Sequence, residues 1–286
     1  MGRSTNRYDA IAGTTENVSS ATRTVKVERF SMCSPNNNTG QCQKYHEYEM
    51  RPIARSAGRA NATRTIMVVG DSHAAQWLPA IDEAARELHV RVVTSVEGNC
   101  PGIGRGWTDQ TASCTTRLRH LPELIRTLHP ALVISSNSSG YIGVLVDARG
   151  KRVRSSGQLG AWGDEMFTFA SELRADNIPL LDVLDTPHYA SDPLDCLAND
   201  RDASRCSLRR DTAVASVAAI HKAEIDALTR AGHGTVLDPS DILCGSRECP
   251  IVVGGQVTYN DGGHLTKSYA ATLGGVFTGA IRTTTR

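Results

Sequence analysis

The sequence predicts an α/β fold in which a mainly parallel sheet of about five strands is covered by helices on both faces. Strand-like apolar runs alternate with amphipathic helical patterns from residue 64 onward. The first run, residues 65–69, is apolar throughout, as a strand buried on both faces should be. Such an alternation is typical of parallel sheets with right-handed crossovers.

The predicted elements follow one another in a regular order. The strands span residues 65–69, 90–94, 131–135, 178–183 and 235–237. The helices span residues 77–88, 118–128, 165–175, 212–231 and 266–281. Two polar excursions, residues 140–163 and 186–210, do not fit a minimal sheet, and each is either a functional loop or a surface decoration.

Composition limits the function classes. The 286 residues carry 31 basic and 30 acidic side chains, a net charge of +1, and form no basic stripe, so nucleic acid is not an expected partner. No stretch approaches the roughly 18 apolar residues that span a bilayer. We interpret residues 1–60 as a linker with a small disulfide-stapled extension, and residues 61–286 as the domain that contains the predicted sheet.

The eight cysteines form four close couples in polar, loop-like stretches. We predict four disulfides, Cys33–Cys42, Cys100–Cys114, Cys196–Cys206 and Cys244–Cys249. Eight cysteines allow about 105 connectivities, so the sequence alone does not prove this pairing. Free buried thiols are the alternative to disulfides. None of the couples has zinc-site spacing, so no metal is expected. Disulfides indicate an oxidising compartment, and we expect a chain that is part of a longer, exported protein.

Gly70-Asp71-Ser72-His73 directly follows the first predicted strand. A serine on such a strand–turn–helix junction exposes its hydroxyl at the carboxyl edge of the sheet, where ligands of parallel sheets bind. Its own N–H lies at a helix start, where it can stabilise a developing oxyanion. The alternative is that Asp71 or Ser72 is only a helix cap. His73 is interpreted as making a local structural hydrogen bond.

Asp261-Gly262-Gly263-His264 precedes the last predicted helix. A serine hydroxyl needs a base, and the base needs a carboxylate on its other nitrogen to hold the correct tautomer. An aspartate and a histidine three residues apart can make that contact within one turn, and two glycines allow the turn to be tight. The alternative is a plain surface turn. The two motifs together predict a triad of Ser72, His264 and Asp261.

These motifs resemble those of the SGNH domains that are fused to acyltransferase family 3 membrane proteins. The resemblance rests on residues 70–77, Gly-Asp-Ser-His-Ala-Ala-Gln-Trp, and 260–266, Asn-Asp-Gly-Gly-His-Leu-Thr, and covers roughly residues 64–282. It implies an SGNH fold, a flavodoxin-like three-layer α/β/α sandwich. It also implies oxyanion donors from the Ser72 N–H, Gly98 and Asn137, although the third block's usual Gly-x-Asn-Asp is absent.

The resemblance further implies an extracytoplasmic O-acyltransferase, tethered through a part absent from this chain. Its membrane domain would deliver the acyl donor, and the acceptor would be a cell-envelope glycan. No cofactor is expected. An esterase that uses water is the alternative within the same chemistry, and an idle glycan-binding domain is the alternative outside it. Trp107 and Trp162, in predicted polar loops, are candidates to stack on a sugar ring.

Overall fold

The computed structural model describes residues 62–286, except residues 105, 108, 109, 148 and 201. The predicted extension at residues 1–60 and its Cys33–Cys42 pair lie outside the described residues. No helix in the part of the chain that the structure describes has the length and apolar character to cross a membrane.

The central sheet has five strands that are parallel throughout, as the sequence predicted. Its spatial order is β2-β1-β3-β4-β6. The strands are β1 Thr65–Gly70, β2 Arg91–Val96, β3 Leu132–Ser136, β4 Leu180–Val183 and β6 Thr235–Leu237. This is the flavodoxin-like order, in which the chain reverses direction across the sheet between β1 and β3.

Nine helices lie among the described residues and cover both faces of the sheet. They are α1 Ser72–Ala75, α2 Leu78–Leu88, α3 Ala112–Leu128, α4 Gln158–Ala175, α5 Pro193–Asn199, α6 Arg210–Ala231, α7 Ser240–Leu243, α8 Lys267–Thr272 and α9 Gly274–Thr284. The predicted closing helix is therefore two helices that meet at Leu273. The predicted third helix begins at Gln158 rather than at residue 165.

Two hydrophobic cores lie on the two faces of the sheet and give the three-layer sandwich. One core joins α2 and α9 to side chains such as Ile66 and Val68 of β1. The other joins α3, α4 and α6 to Met67 and Val69. Alternate side chains of a strand point to opposite faces, so a strand that is apolar at every position must be covered on both. The uninterrupted apolar run of β1 predicted this arrangement.

Two small antiparallel strand pairs lie outside the main sheet. β5 Leu208–Arg209 pairs with β7 Glu248–Cys249, and β8 Val252–Val253 pairs with β9 Gln256–Val257. The excursion predicted at residues 186–210 contains α5 and a disulfide, Cys196–Cys206. Short pairs of this kind close loops without extending the main sheet.

Three of the predicted disulfides are present among the described residues. They are Cys100–Cys114, Cys196–Cys206 and Cys244–Cys249. Each joins neighbouring cysteines of the chain, 14, 10 and 5 residues apart respectively. The interpretation as local loop staples is confirmed for these three.

The carboxyl ends of β1 and β3 meet at the point where the strand order reverses. Gly70 pairs with Ser136 across these ends. Gly70 has a φ of +146°, and a Cβ there would lie 2.0 Å from the Ser136 carbonyl oxygen. Only glycine fits this close approach, which brings residues 71 and 137 to one edge of the sheet.

Candidate active site

The nucleophile candidate starts a helix of four residues. Ser72 is the first residue of α1 and is only 7% exposed. Asp71 is the N-cap, and its Oδ1 accepts the His73 N–H at 2.7 Å. Its other oxygen accepts the Ser138 N–H at 2.9 Å. One buried carboxyl group therefore fixes the turn that carries Ser72 against the loop that follows β3.

Asp71 is both a cap and part of the site's charge distribution. Burial raises the pKa of its carboxyl group, although His73 and the two backbone N–H donors act in the opposite direction. The capping alternative from the sequence is therefore correct for Asp71. It does not compete with the role of Ser72, because the cap holds the serine turn in place.

The acid–base candidate is a compact turn. His264 Nδ1 lies 3.0 Å from both carboxylate oxygens of Asp261. Asp261 Oδ1 also accepts the N–H groups of Gly263 and His264, each at 2.8 Å. Burial would raise the pKa of Asp261, but the bond to His264 and these N–H donors lower it to about 2. The carboxylate is ionised at neutral pH and orients the His264 ring.

The two turns are joined by a direct side-chain contact. Gln76, on the nucleophile side, accepts the Leu265 N–H at 2.8 Å. The His73 and His264 rings lie with their centroids 4.5 Å apart. These contacts bring together two motifs that are almost 190 residues apart in the sequence.

The bond between nucleophile and base is not closed in this structure. His264 Nε2, the atom that would take the serine proton, is buried and has no hydrogen-bond partner among the described residues. Ser72 belongs to the adjoining turn, next to His73. Catalytic hydrogen bonds are often long without ligand, so the structure brings the three triad candidates to one site without joining the last pair.

Gly262, the first glycine of the second motif, is needed for close packing, and neither glycine is needed for a left-handed backbone. Neither has a positive φ. A Cβ on Gly262 would lie 2.9 Å from the Tyr189 carbonyl oxygen. A Cβ on Gly263 would lie 3.4 Å from the His73 ring. The turn therefore lies directly against the nucleophile side of the site.

Asn137 is buried directly after β3 and has one free donor. Its Oδ1 accepts the Gly102 N–H at 2.7 Å, which fixes the orientation of the amide. Its Nδ2 is buried and has no partner among the described residues. An oriented, unpaired N–H₂ group is what an oxyanion site requires.

Gly98 is not linked to this site by the described contacts. It lies in the exposed turn between Glu97 and Cys100. Gly102 is the glycine that approaches the nucleophile strand, since a Cβ there would lie 2.8 Å from the Gly70 nitrogen. The sequence offered both glycines in one loop, and only the folded backbone shows which one reaches the sheet edge.

A second aspartate, Asp185, was missed by the sequence analysis. It follows β4, and its Oδ1 lies 2.5 Å from His73 Nδ1. Its other oxygen lies 3.1 Å from His188 Nε2, without hydrogen-bond geometry. His73 makes the expected local hydrogen bond through its backbone N–H, to Asp71, but its ring has a partner 112 residues away. The usable signal was the position of Asp185 at the carboxyl end of a predicted strand.

The surroundings of this second pair favour its charged forms. Burial alone would lower the pKa of His73, but the Asp185 carboxylate outweighs burial and raises it to about 9. Burial would raise the pKa of Asp185, but His73 and His188 hold it well below its usual range. Both shifts favour the charged forms, an imidazolium at His73 and a carboxylate at Asp185.

His73, Asp185 and His188 form one of two groups among the described residues that have metal-ligand chemistry. One ligand atom from each of His73, Asp185 and His188 lies within 4.8 Å of the others. The contact of 2.5 Å between His73 and Asp185 is, however, a hydrogen-bond distance. A second such group includes Cys100 and Cys114, which are disulfide-bonded and offer no thiolate.

Neither predicted sugar-stacking tryptophan is available for stacking. Trp162 is fully buried, and its Nε1 donates to Glu224 at 2.8 Å. Trp107 is also buried and packs edge-on against Tyr141. The prediction failed for Trp162 because α4 begins earlier than expected, which places this residue on the buried side of the helix.

Comparisons with known proteins agree with this architecture. Residues 33–279 match the family model of the SGNH domain that is fused to AT3 domains. The periplasmic domain of the lipopolysaccharide acetyltransferase of Salmonella ser. Paratyphi A has a TM-score of 0.56 and 16% identity, over 74% of this chain and 82% of that chain. A putative SGNH hydrolase from Slackia heliotrinireducens has a TM-score of 0.46 and 16% identity, over 77% of this chain and 100% of its own.

No curated protein matches the chain. At 16% identity, the Salmonella structure supports the fold alone. The family match spans most of the sequence and includes both motifs. The chain therefore belongs to the family of SGNH domains that are fused to AT3 domains.

Proposed function

We propose that this domain is a serine O-acyltransferase that moves an acyl group, most simply acetyl, onto a cell-envelope glycan. Ser72 is the nucleophile, His264 the base and Asp261 the orienting carboxylate. The observation that carries the proposal is the His264 ring, held at Nδ1 by Asp261 while its buried Nε2 has no partner beside the serine turn. A base with one fixed nitrogen and one free nitrogen suits proton transfer from serine.

The first half-reaction loads the enzyme. The Ser72 oxygen attacks the carbonyl carbon of the acyl donor, and His264 Nε2 takes the hydroxyl proton. The negative charge on the carbonyl oxygen is stabilised by the Ser72 N–H and by the free Asn137 Nδ2. The leaving group departs with the proton from His264, which leaves an ester on Ser72.

The second half-reaction reverses these roles. A glycan hydroxyl gives its proton to His264 and attacks the ester carbon. The Ser72 oxygen then leaves and takes that proton back, so the enzyme returns to its starting state. Water in place of the sugar would give an esterase by the same steps, because the triad activates either acceptor in the same way.

The family setting favours transfer. The matching family is described as fused to AT3 domains, which suggests a membrane domain of the parent protein as the source of the acyl donor. The printed name of the Salmonella relative is a lipopolysaccharide acetyltransferase periplasmic domain, which suggests an envelope glycan as acceptor. Three disulfides suit an extracytoplasmic location.

The test separates transfer from hydrolysis. The protein is loaded from an activated acetyl ester, envelope oligosaccharides are added, and products are followed by mass spectrometry. We expect a mass increase of one acetyl group on Ser72, then acetylated sugar forming faster than free acetate. Loss of acetyl groups from pre-acetylated glycan, with no acceptor modified, would support the esterase instead. If Ser72 is never acylated, the idle binding domain is the better description.

A further inference from the structure

The triad candidates do not use the buried pair of His73 and Asp185. His73 follows the nucleophile directly in the sequence, and its Nδ1 lies 2.5 Å from the Asp185 carboxylate. Both side chains are almost fully buried, with 5% and 1% exposure. A buried aspartate this close to a histidine, and this close to a reacting serine, needs an explanation beyond filling space.

Asp185 connects three segments of the site. One of its oxygens accepts the Thr186 N–H at 2.8 Å, and the other accepts the Ser139 N–H at 2.6 Å. Thr186 in turn donates its hydroxyl to the Gly263 carbonyl at 2.7 Å. Through His73, the same carboxylate reaches the nucleophile turn. Asp185 and its neighbour Thr186 therefore hold together the loop after β3, the serine turn and the His264 turn.

We propose that His73 acts as an imidazolium, paired with Asp185, and that this ion pair positions the serine turn and the His264 turn for acyl transfer. The inference deepens the proposed function and rests on it for the reaction that is measured. His73 is a positioning residue, because its contacts are to the triad's own segments. Its ring lies 4.5 Å from the His264 ring and 5.6 Å from the His188 ring.

The charges that face His73 favour its protonated form. Asp185 lies against the ring, Asp71 caps the same turn, and Asp261 faces it from the His264 turn. Two histidines, His188 and His264, also face it through the ring contacts. Three carboxyl groups on three elements therefore surround one imidazole.

The sign of the pH dependence follows. The pKa of His73 in the folded protein, about 9, lies above the ordinary histidine value of 6.5. The pair's contribution is complete below pH 6.5 and is lost as the pH rises through about 9. Above that pH, Asp185 becomes a buried anion without a counter-charge. A Ser-His-Asp triad alone has no alkaline fall of this kind, since its base stays unprotonated and active.

The first experiment measures the charge directly. The whole chain is labelled with ¹⁵N-histidine, and the ring signals are followed by NMR from pH 5 to pH 10.5. We expect His73 to have imidazolium shifts at pH 7 and to titrate near pH 9. A neutral His73 ring at pH 7 would overturn the proposal. One zinc ion per chain, bound through His73, Asp185 and His188, would also overturn it, because a metal takes the nitrogen lone pair.

The second experiment measures the consequence for rate. We expect kcat for ester cleavage by the wild-type protein to fall near pH 9. Asp185→Asn should lower kcat about 10²-fold with little change in KM, and the fall near pH 9 should disappear. Asp182→Asn is the matched control. Asp182 is equally buried, lies on β4 three residues before Asp185 and accepts the Ser135 hydroxyl, so its variant should keep the fall.

The outcomes distinguish this proposal from the proposed function. A wild-type profile that stays flat to pH 10, or an Asp185→Asn profile that matches wild type after scaling, rules out positioning by the ion pair. If Asp185→Asn does not fold, the NMR titration of His73 and the pH profile of kcat, both measured on the wild-type protein, still decide the question. The NMR titration needs no activity, so a charged His73 in a protein that never acylates Ser72 would refute the proposed function and leave the charge assignment standing.

Discussion

Two histidine–aspartate pairs lie side by side in this molecule and are built in opposite ways. His264 and Asp261 belong to one turn, three residues apart, and the Asp261 side chain is 44% exposed. His73 and Asp185 come from different parts of the sheet edge, 112 residues apart, and Asp185 is 1% exposed. Only the first pair is visible in the sequence as a motif.

The difference in burial predicts a difference in what each pair contributes. An exposed pair contributes little to folding, typically about 0–1 kcal/mol, because water screens it. Breaking a buried pair by removing one partner costs about 3–5 kcal/mol, since the remaining charge is left uncompensated. We therefore expect changes at Asp261 to affect rate alone, and changes at Asp185 to affect both rate and stability.

The largest expected effect tests whether the two pairs serve one nucleophile. Ser72→Ala should lower ester cleavage by about 10⁶-fold and prevent acylation, because no other group can take its place. Circular dichroism and the melting temperature should be unchanged. Ser240→Ala is the control, since that hydroxyl is buried and unpartnered but lies in α7. Equal losses in both variants would remove Ser72 from the mechanism.

The next effect tests the exposed pair. Asp261→Asn should lower kcat by about 10⁴-fold, because an amide cannot hold the same His264 tautomer. The asparagine Oδ1 can still accept the Gly263 and His264 N–H groups, so the turn should survive. Asp202→Asn is the matched control, an aspartate that accepts the Ser204 N–H in an exposed turn. Stopped-flow or steady-state ester cleavage measures both, and an active Asp261→Asn variant would contradict the triad.

A smaller effect tests the proposed oxyanion donor, Asn137. Asn137→Ala should lower kcat by about 10²-fold with little change in KM, because its free Nδ2 contributes only when charge develops. Ser136→Ala removes a neighbouring buried and unpartnered hydroxyl and should leave kcat unchanged. If kcat for Asn137→Ala equals that of wild type, Asn137 is a loop residue and the triad assignment is unaffected.

The sheet and the local motifs could be predicted from the sequence because their signals are local. The apolar run at residues 65–69 by itself indicates a strand that is buried on both faces. Asp261 lies within one turn of His264. Neighbouring cysteines in polar loops likewise predicted Cys196–Cys206. In each case the partners lie close together in the chain, so geometry leaves few alternatives.

Asp185 and Gly102 could not be assigned in this way. The partner of Asp185 depends on which strands lie side by side, and Gly102 takes its place only because its loop folds back onto β1. Trp162 failed for a related reason, since a shift in the helix start moved it from a predicted loop to the core. Non-local contacts are set by the whole fold, and single-sequence patterns do not contain them.

The smallest expected effect on rate concerns the excursion that follows Asp185. Replacing Cys196 and Cys206 together by serine should destabilise the domain by about 3 kcal/mol, because it frees a short loop in the unfolded chain. It should leave kcat unchanged, because Tyr189, which lies in the chain between Asp185 and Cys196, is held by two hydrogen bonds that do not involve this disulfide. Its N–H donates to the Gly262 carbonyl at 2.7 Å, and its hydroxyl donates to the Cys249 carbonyl at 2.9 Å.

The matched comparison is the double serine variant of Cys100 and Cys114, whose loop has a similar length. This staple closes the loop that contains Gly102, whose N–H donates to the Asn137 amide oxygen, so its loss should lower kcat as well as stability. Denaturant unfolding and kcat are measured on both double variants under the same conditions. If removal of Cys196–Cys206 lowers kcat as much as removal of Cys100–Cys114, the excursion is part of the site and the independent anchoring of Tyr189 is wrong.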